Sequence, residues 1–80
     1  MNWRDHIYSD PKILSGKPVI KGTRYTVERV LKLVGAGWSD AQITEEYPGI
    51  ESQHIRATAQ FAADLIHDDG YFAIHKARAA

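Results

Sequence analysis

Cations and amides, rather than nucleophiles or metal ligands, are the groups whose spacing carries chemical information in this chain. Lys12, Lys17, Lys21 and Arg24 are distributed along one N-terminal stretch, where they can neutralise phosphate oxygens. Ser52, Gln53, Arg56 and Gln60 recur at helical spacing further on. An arginine so placed can bond guanine through two N–H groups, and a glutamine can bond adenine through its amide. The same four residues also suit an ordinary solvated helix face, and both readings stand. DNA-binding through these eight positions is therefore one expectation, and it calls for a dimer to supply enough phosphate contacts.

Other chemistry finds little footing. His6, His54, His67 and His75 show no paired spacing for zinc, and His67-Asp68-Asp69 reads as a solvated helix end. The absence of cysteine excludes disulfides and cysteine-based zinc sites. Gly22 is followed by Thr23-Arg24 and not by Lys-Ser or Lys-Thr, so no nucleotide-binding P-loop is present. Ser9 and Ser39 read as turn and cap residues, because a core this small rarely encloses a reactive cleft. The expectation is a non-enzymatic protein without cofactor or metal.

Charge is zero overall but polarised. Residues 1–37 hold seven basic side chains against three acidic ones, whereas residues 38–70 hold Arg56 against seven acids. Nucleic acid would be drawn to the N-terminal third, and the same dipole also suits head-to-tail self-pairing. Eighty residues fit one domain. Such a chain buries only about 60% of its unfolded surface, so homo-oligomerisation or docking on a partner is expected to add stability. Met1 to Asp5 lacks the apolar core of a signal peptide, and no window approaches the roughly 18 apolar residues of a membrane span. The chain is expected to be soluble and cytoplasmic, with no membrane partner.

Four pieces must position these groups. Residues 6–25 read as a β arm, with turns at Ser9-Asp10-Pro11, Ser15-Gly16 and Lys21-Gly22-Thr23. Gly16 and Gly22 permit sharp turns on either side of a rigid Pro18-Val19-Ile20 strand. Pro18 marks that strand as an edge to which a second chain could add. Thr23 can bond its own backbone, and Arg24 can reach Asp40, Glu45 or Glu46; alternatively Lys17, Lys21 and Arg24 bind phosphate.

Three helices follow, over 27–36, 40–47 and 52–67. Thr26 caps the first, whose apolar face is Val27, Val30, Leu31 and Val34, with Leu33 off the stripe and packing under the arm or on a partner. Gly35-Ala36-Gly37 ends it. Ser39-Asp40-Ala41-Gln42 is a capping box opening the second, with Ala41, Ile43 and Tyr47 as its core. Pro48-Gly49 stops it. Glu51 or Ser52 caps the third, whose core stripe is Ile55, Ala59, Ala62 and Ile66 with Leu65 beside it. The tight glycine-containing connection between the second and third helices is that of a helix-turn-helix. Phe61 lies about 240° round the third helix from Ile55 and, with Tyr71, Phe72 and Ile74 of the tail 70–80, forms a candidate partner anchor. Packing of Phe61 under the arm or tail is the alternative.

The most distinctive stretch is Gly16-Lys17-Pro18-Val19-Ile20-Lys21-Gly22-Thr23-Arg24, preceded by Ser9-Asp10-Pro11-Lys12-Ile13-Leu14 and followed by Ala36-Gly37-Trp38-Ser39. From about Ile7 to Ile66 the chain resembles a widespread prokaryotic domain-of-unknown-function family often grouped with VapB-type antitoxins. The resemblance implies a mainly α, homeodomain-like trihelical fold with a short N-terminal β arm. It also implies pairing with a PIN-like ribonuclease toxin. Ser15 stands where that family often has glycine, Tyr25 for a commoner isoleucine and Thr26 for a commoner proline. The tail after Gly70 lies outside the family pattern. Together these readings predict an antitoxin-like regulator that neutralises such a toxin and binds its own promoter DNA as a dimer. The alternative is a homo-oligomeric protein-interaction module with no DNA-binding role.

Overall fold

The computed structural model describes residues 2–69, so Tyr71, Phe72 and Ile74 lie outside the described residues. Two short antiparallel strands, β1 (Ile7–Tyr8) and β2 (Val19–Ile20), precede three helices, α1 (Val27–Gly35), α2 (Asp40–Glu46) and α3 (Ser52–Asp69). This is the expected mainly helical, trihelical helix-turn-helix-like architecture with an N-terminal β arm. Single 3-10 turns at Trp3–Asp5 and Leu14–Gly16 flank β1. None of the described helices is long and apolar enough to cross a membrane.

Helix ends follow the cap chemistry, with small shifts from the expected 27–36, 40–47 and 52–67. Thr26 Oγ1 accepts the Arg29 amide at 3.0 Å and starts α1. That helix stops at Gly35, and Gly37 then reverses the chain at φ +95°. The capping box at α2 is complete: Gln42 N–H donates to Ser39 Oγ at 3.1 Å, and Ser39 N–H donates to Gln42 Oε1 at 2.8 Å. α2 ends at Glu46 because Tyr47 leaves the helical region at φ −122°, ψ 86°. α3 runs on to Asp69, beyond the expected end at residue 67. At its start the backbone N–H of Glu51 donates to His54 Nδ1 at 2.9 Å. An imidazole here does what the carboxylate or amide at the third helical position does in a capping box.

The core is made by Ile7, Ile20, Val27, Val30, Ile43, Ile50, Ile55 and Ala57, all buried. Ile43, Ile50 and Ile55 thus lock α2 to α3, with Tyr47 half-buried beside them. Four positions of the expected core stripes are exposed. Val34 is 44% exposed while Leu33 packs on the core, because no element among the described residues covers the last turn of α1 on the Val34 side. Ala41 is exposed, because α2 presents only Ile43 fully inward. On α3, Ala59 is exposed and Ile66 is 47% exposed, whereas Ala57 and Thr58 are fully buried. The inward face of α3 is therefore Ile55, Thr58 and Phe61, turned from the expected stripe. Phe61 causes that rotation: its ring meets Trp3 edge-on, with centroids 4.9 Å apart, so a residue expected off the stripe is half-buried. The Thr58 hydroxyl is satisfied locally by Ile55 O at 2.7 Å.

The arm is tied down on both sides. β1 and β2 pair in the register Ile7↔Ile20 and Tyr8↔Val19. The chain then reverses, so that Ile20 N–H donates to Tyr25 O at 3.0 Å and Val27 N–H to Pro18 O at 3.0 Å. β2 is consequently no open edge, contrary to the reading of Pro18, because the following residues return along it. Gly16 and Gly22 take φ +83° and +82°, as the turns on either side of β2 require. Thr23 Oγ1 donates to Ile20 O at 2.9 Å and accepts from Tyr25 N–H at 3.1 Å, closing the second turn.

Ser15 adopts φ 59°, ψ 29°, a left-handed conformation that costs an ordinary L-residue about 1–2 kcal/mol. Ser15→Gly is expected to raise the thermal midpoint by roughly 4–8 °C per kcal/mol relieved, measured by circular dichroism. A lowered midpoint would contradict this backbone geometry.

His54 is held below its ordinary pKa of 6.5, first by burial and then by the neighbouring His6, with Glu51 opposing. Because Nδ1 must be unprotonated to accept the Glu51 N–H, the neutral form supports the fold. Its contribution is complete above pH 6.5 and is lost as pH falls below that value through the lower folded-state pKa. His54→Gln keeps an acceptor and removes the proton, so its stability should decline less than wild type between about pH 7.5 and pH 5. Identical pH profiles for the two proteins would rule out this cap as the cause.

Candidate nucleic-acid interface

α3 has one face turned wholly to solvent. Ser52, Gln53, Arg56 and Gln60 are all exposed, and on ideal helical geometry they span roughly 100° of its circumference. Ala59 and Ala63 are exposed among them, so the surface between the polar groups is shallow. Gln53 Nε2 donates to Glu51 Oε1 at 3.1 Å, and Arg56 has no ion pair among the described residues. Ile55, Ala57 and Thr58 on the other side of the helix are spent on the core.

Two contacts bring the arm to the N-terminal end of α3. The rings of His6 and His54 meet edge-on at 5.3 Å. The second involves Gly49, in the α2–α3 connection, which sits at φ +98° so close to Thr23 that an added Cβ would lie 3.3 Å from Thr23 Cγ2. Both the left-handed backbone and the close approach call for glycine there. The turn carrying Lys21 and Arg24 is thereby fixed beside the helix-turn-helix connection, and both side chains project into solvent.

The remaining arm cations are placed differently. Arg24 lines one shallow cleft with Tyr8, Ile13, Gly22 and Thr23, and Lys12 is not among its lining residues. Lys12 N–H is bonded to Asp10 Oδ1 at 2.9 Å, while its ammonium is exposed. Lys17 instead lies against α1, its ammonium 3.8 Å from Glu28. The expected pairing of Arg24 with Asp40, Glu45 or Glu46 is not made among the described residues; Arg24 is exposed in the cleft beside Tyr8 and Ile13 instead.

One cation was missed by sequence reasoning. Trp3 N–H donates to Asp64 Oδ2 at 2.7 Å, and the Arg4 guanidinium lies over the Trp3 ring at 4.4 Å from its centroid. Arg4 and Gln60 line the same open groove with Asp64. Arg4 therefore stands beside the outer face of α3, more than fifty residues from it in sequence. No local signal marks it; only the fit of Trp3 on Phe61 does.

Among the described residues no cluster of three or more His, Asp or Glu side chains could hold a metal ion. His67 and Asp68 approach to 3.6 Å, both well exposed at the end of α3. Glu45 and Glu46 are exposed on α2.

Known proteins resemble this chain over most of its length. A model of a family described as proteins of unknown function, DUF433, matches residues 7–62. An uncharacterized protein of Sinorhizobium fredii, y4eO, is 37% identical over 59 residues, which are 74% of this chain and 27% of that protein. The chain thus spans about a quarter of the length of the curated relative it matches. No solved structure matches it. The matched segment runs from β1 into α3 and covers well over half of the chain, and on that ground the chain belongs to the DUF433 family.

Proposed function

We propose that this chain is an antitoxin-like regulator that binds its own promoter DNA as a dimer and neutralises a PIN-like ribonuclease toxin. The observation that carries the DNA part is the free face of α3, where Gln53, Arg56 and Gln60 lie exposed side by side. Arginine and glutamine are the side chains suited to guanine and adenine edges, and the alanines between them let the helix sit deep in a major groove. Lys21 and Arg24 flank the N-terminal end of this face and Arg4 its later turns, so phosphates on both sides of the groove meet a cation. The toxin part rests on the resemblance at residues 16–24, with Tyr71, Phe72 and Ile74 of the tail as anchors. Phe61, engaged with Trp3, serves in this reading as a support and not as a free anchor.

A second reading, a homo-oligomeric interaction module without a DNA role, is favoured by the exposed Glu45 and Glu46, which would repel phosphate near α2.

The test is binding of a fragment from immediately upstream of the gene, measured by fluorescence anisotropy across a salt series. Arg56→Ala is expected to cost about 1–3 kcal/mol and to relax sequence preference. Arg24→Ala, Lys21→Ala and Arg4→Ala should each weaken all duplexes alike and reduce the salt slope by about 1. Absence of binding even at low salt would hand the case to the second reading. For the toxin, co-expression with the adjacent gene product should yield one complex on size-exclusion chromatography; separate elution of two folded proteins would count against sheathing.

A further inference from the structure

An apolar groove of about 440 Å³ runs between α1 and α3, on the side of the molecule that the DNA-facing surface does not use. Val27, Leu31, Phe61 and Leu65 form its apolar lining, and Glu28 and Lys32 stand on its rim. Leu65 follows Phe61 by one helical turn and points the same way, yet it is 50% exposed because nothing in residues 2–69 covers it. Val34, the next turn of α1 beyond Leu31, is 44% exposed.

We infer that this groove is covered by the same groove of a second copy of the chain, in a two-fold dimer that lays α1 antiparallel on its counterpart. The rim charges select that occupant. Lys32 Nζ lies 3.5 Å from Glu28 Oε2 within one copy and Lys17 Nζ 3.8 Å from Glu28 Oε1, and all three side chains are more than half exposed. A two-fold axis passing between them places each copy's Lys32 opposite the other's Glu28, so one rim carries both halves of the complementary pattern. An interface around such an axis must be self-complementary in this way. A different protein would have to supply the reversed pattern; a second copy has it by construction. Leu31 falls between Glu28 and Lys32 in the chain and so sits close to the axis, where it meets its own counterpart. Leu65 of each copy then fills the space beside Leu31 of the other. The leucines supply the affinity. The exposed, salt-screened charges set the orientation.

This deepens the dimer element of the proposed function, and its test contains no DNA, so failure here leaves the reading of α3 standing. Sedimentation equilibrium of the full chain should show a species of twice 9.0 kDa. Leu65→Asp should raise the dissociation constant by at least about tenfold with the circular dichroism spectrum retained, since that side chain is already half in water. Glu28→Lys and Lys32→Glu should each weaken the dimer, and the two combined should restore it. A wild-type chain that stays monomeric at every concentration overturns the inference. A monomer destabilised by Leu65→Asp would mean that the chain's own residues beyond 69 fill the groove instead. A dimer indifferent to Leu65→Asp, or a double charge exchange without restoration, overturns the surface and the two-fold pairing respectively.

Discussion

Burial of the inner face of α3 is the constraint on which the rest of the domain depends. The 3-10 turn at Trp3–Asp5, α1 and α2 all pack against this one helix. A chain of eighty residues cannot build two full layers around a separate core, so a single long helix serves as a shared wall. Ile55 meets the α2 side, Thr58 fills the crowded centre with its hydroxyl satisfied, and Phe61 receives Trp3. Each apolar side chain so buried contributes on the order of 1.5–3 kcal/mol, against a total stability for such domains of only about 5–15 kcal/mol. Trp3 matters beyond its area, because its indole N–H is satisfied by Asp64 and the joint then fixes the angle of the N-terminal segment.

The N-terminal arm acts as a brace and not as a free limb. β2 is bonded to β1 on one side and to the returning Tyr25–Val27 segment on the other. Thr23 closes the turn and touches Gly49 of the α2–α3 connection, so the box from Gly16 to Arg24 ties the arm directly to the helix-turn-helix unit. The aromatic ring of Tyr25 continues this tie by meeting Tyr47 edge-on at 5.3 Å. Structural demands of this kind account for the glycines, Pro18, Ile20 and Thr23 without any ligand. They leave Lys21 and Arg24 as the members of the box whose side chains do no visible internal work.

That division of labour separates two surfaces. The outer side of α3 is polar, shallow and flanked by cations from two distant parts of the chain. The groove between α1 and α3 is apolar and rimmed by Glu28 and Lys32, with Lys17 also close to Glu28. Polar groups that could form specific hydrogen bonds and apolar groups that require cover thus point in different directions, so one molecule can meet two ligands without competition between them.

The sequence by itself determined what local chemistry controls. Caps at Thr26 and Ser39, the turns at Gly16 and Gly22, and the existence of three helices all follow from contacts within a few residues. The outward row of Ser52, Gln53, Arg56 and Gln60 was legible for the same reason, because helical periodicity alone sets which residues share a face. Only the tertiary structure decided which face of α3 would be buried. Alanine carries so little apolar area that Ala59 and Ala57 are indistinguishable in a pattern, and the choice fell to Trp3, nearly sixty residues from Phe61 in sequence. It likewise decided that β2 has no open edge, that Arg24 faces solvent and that Arg4 stands beside Gln60. Each of these depends on the path of distant backbone, and no short-range preference encodes that path.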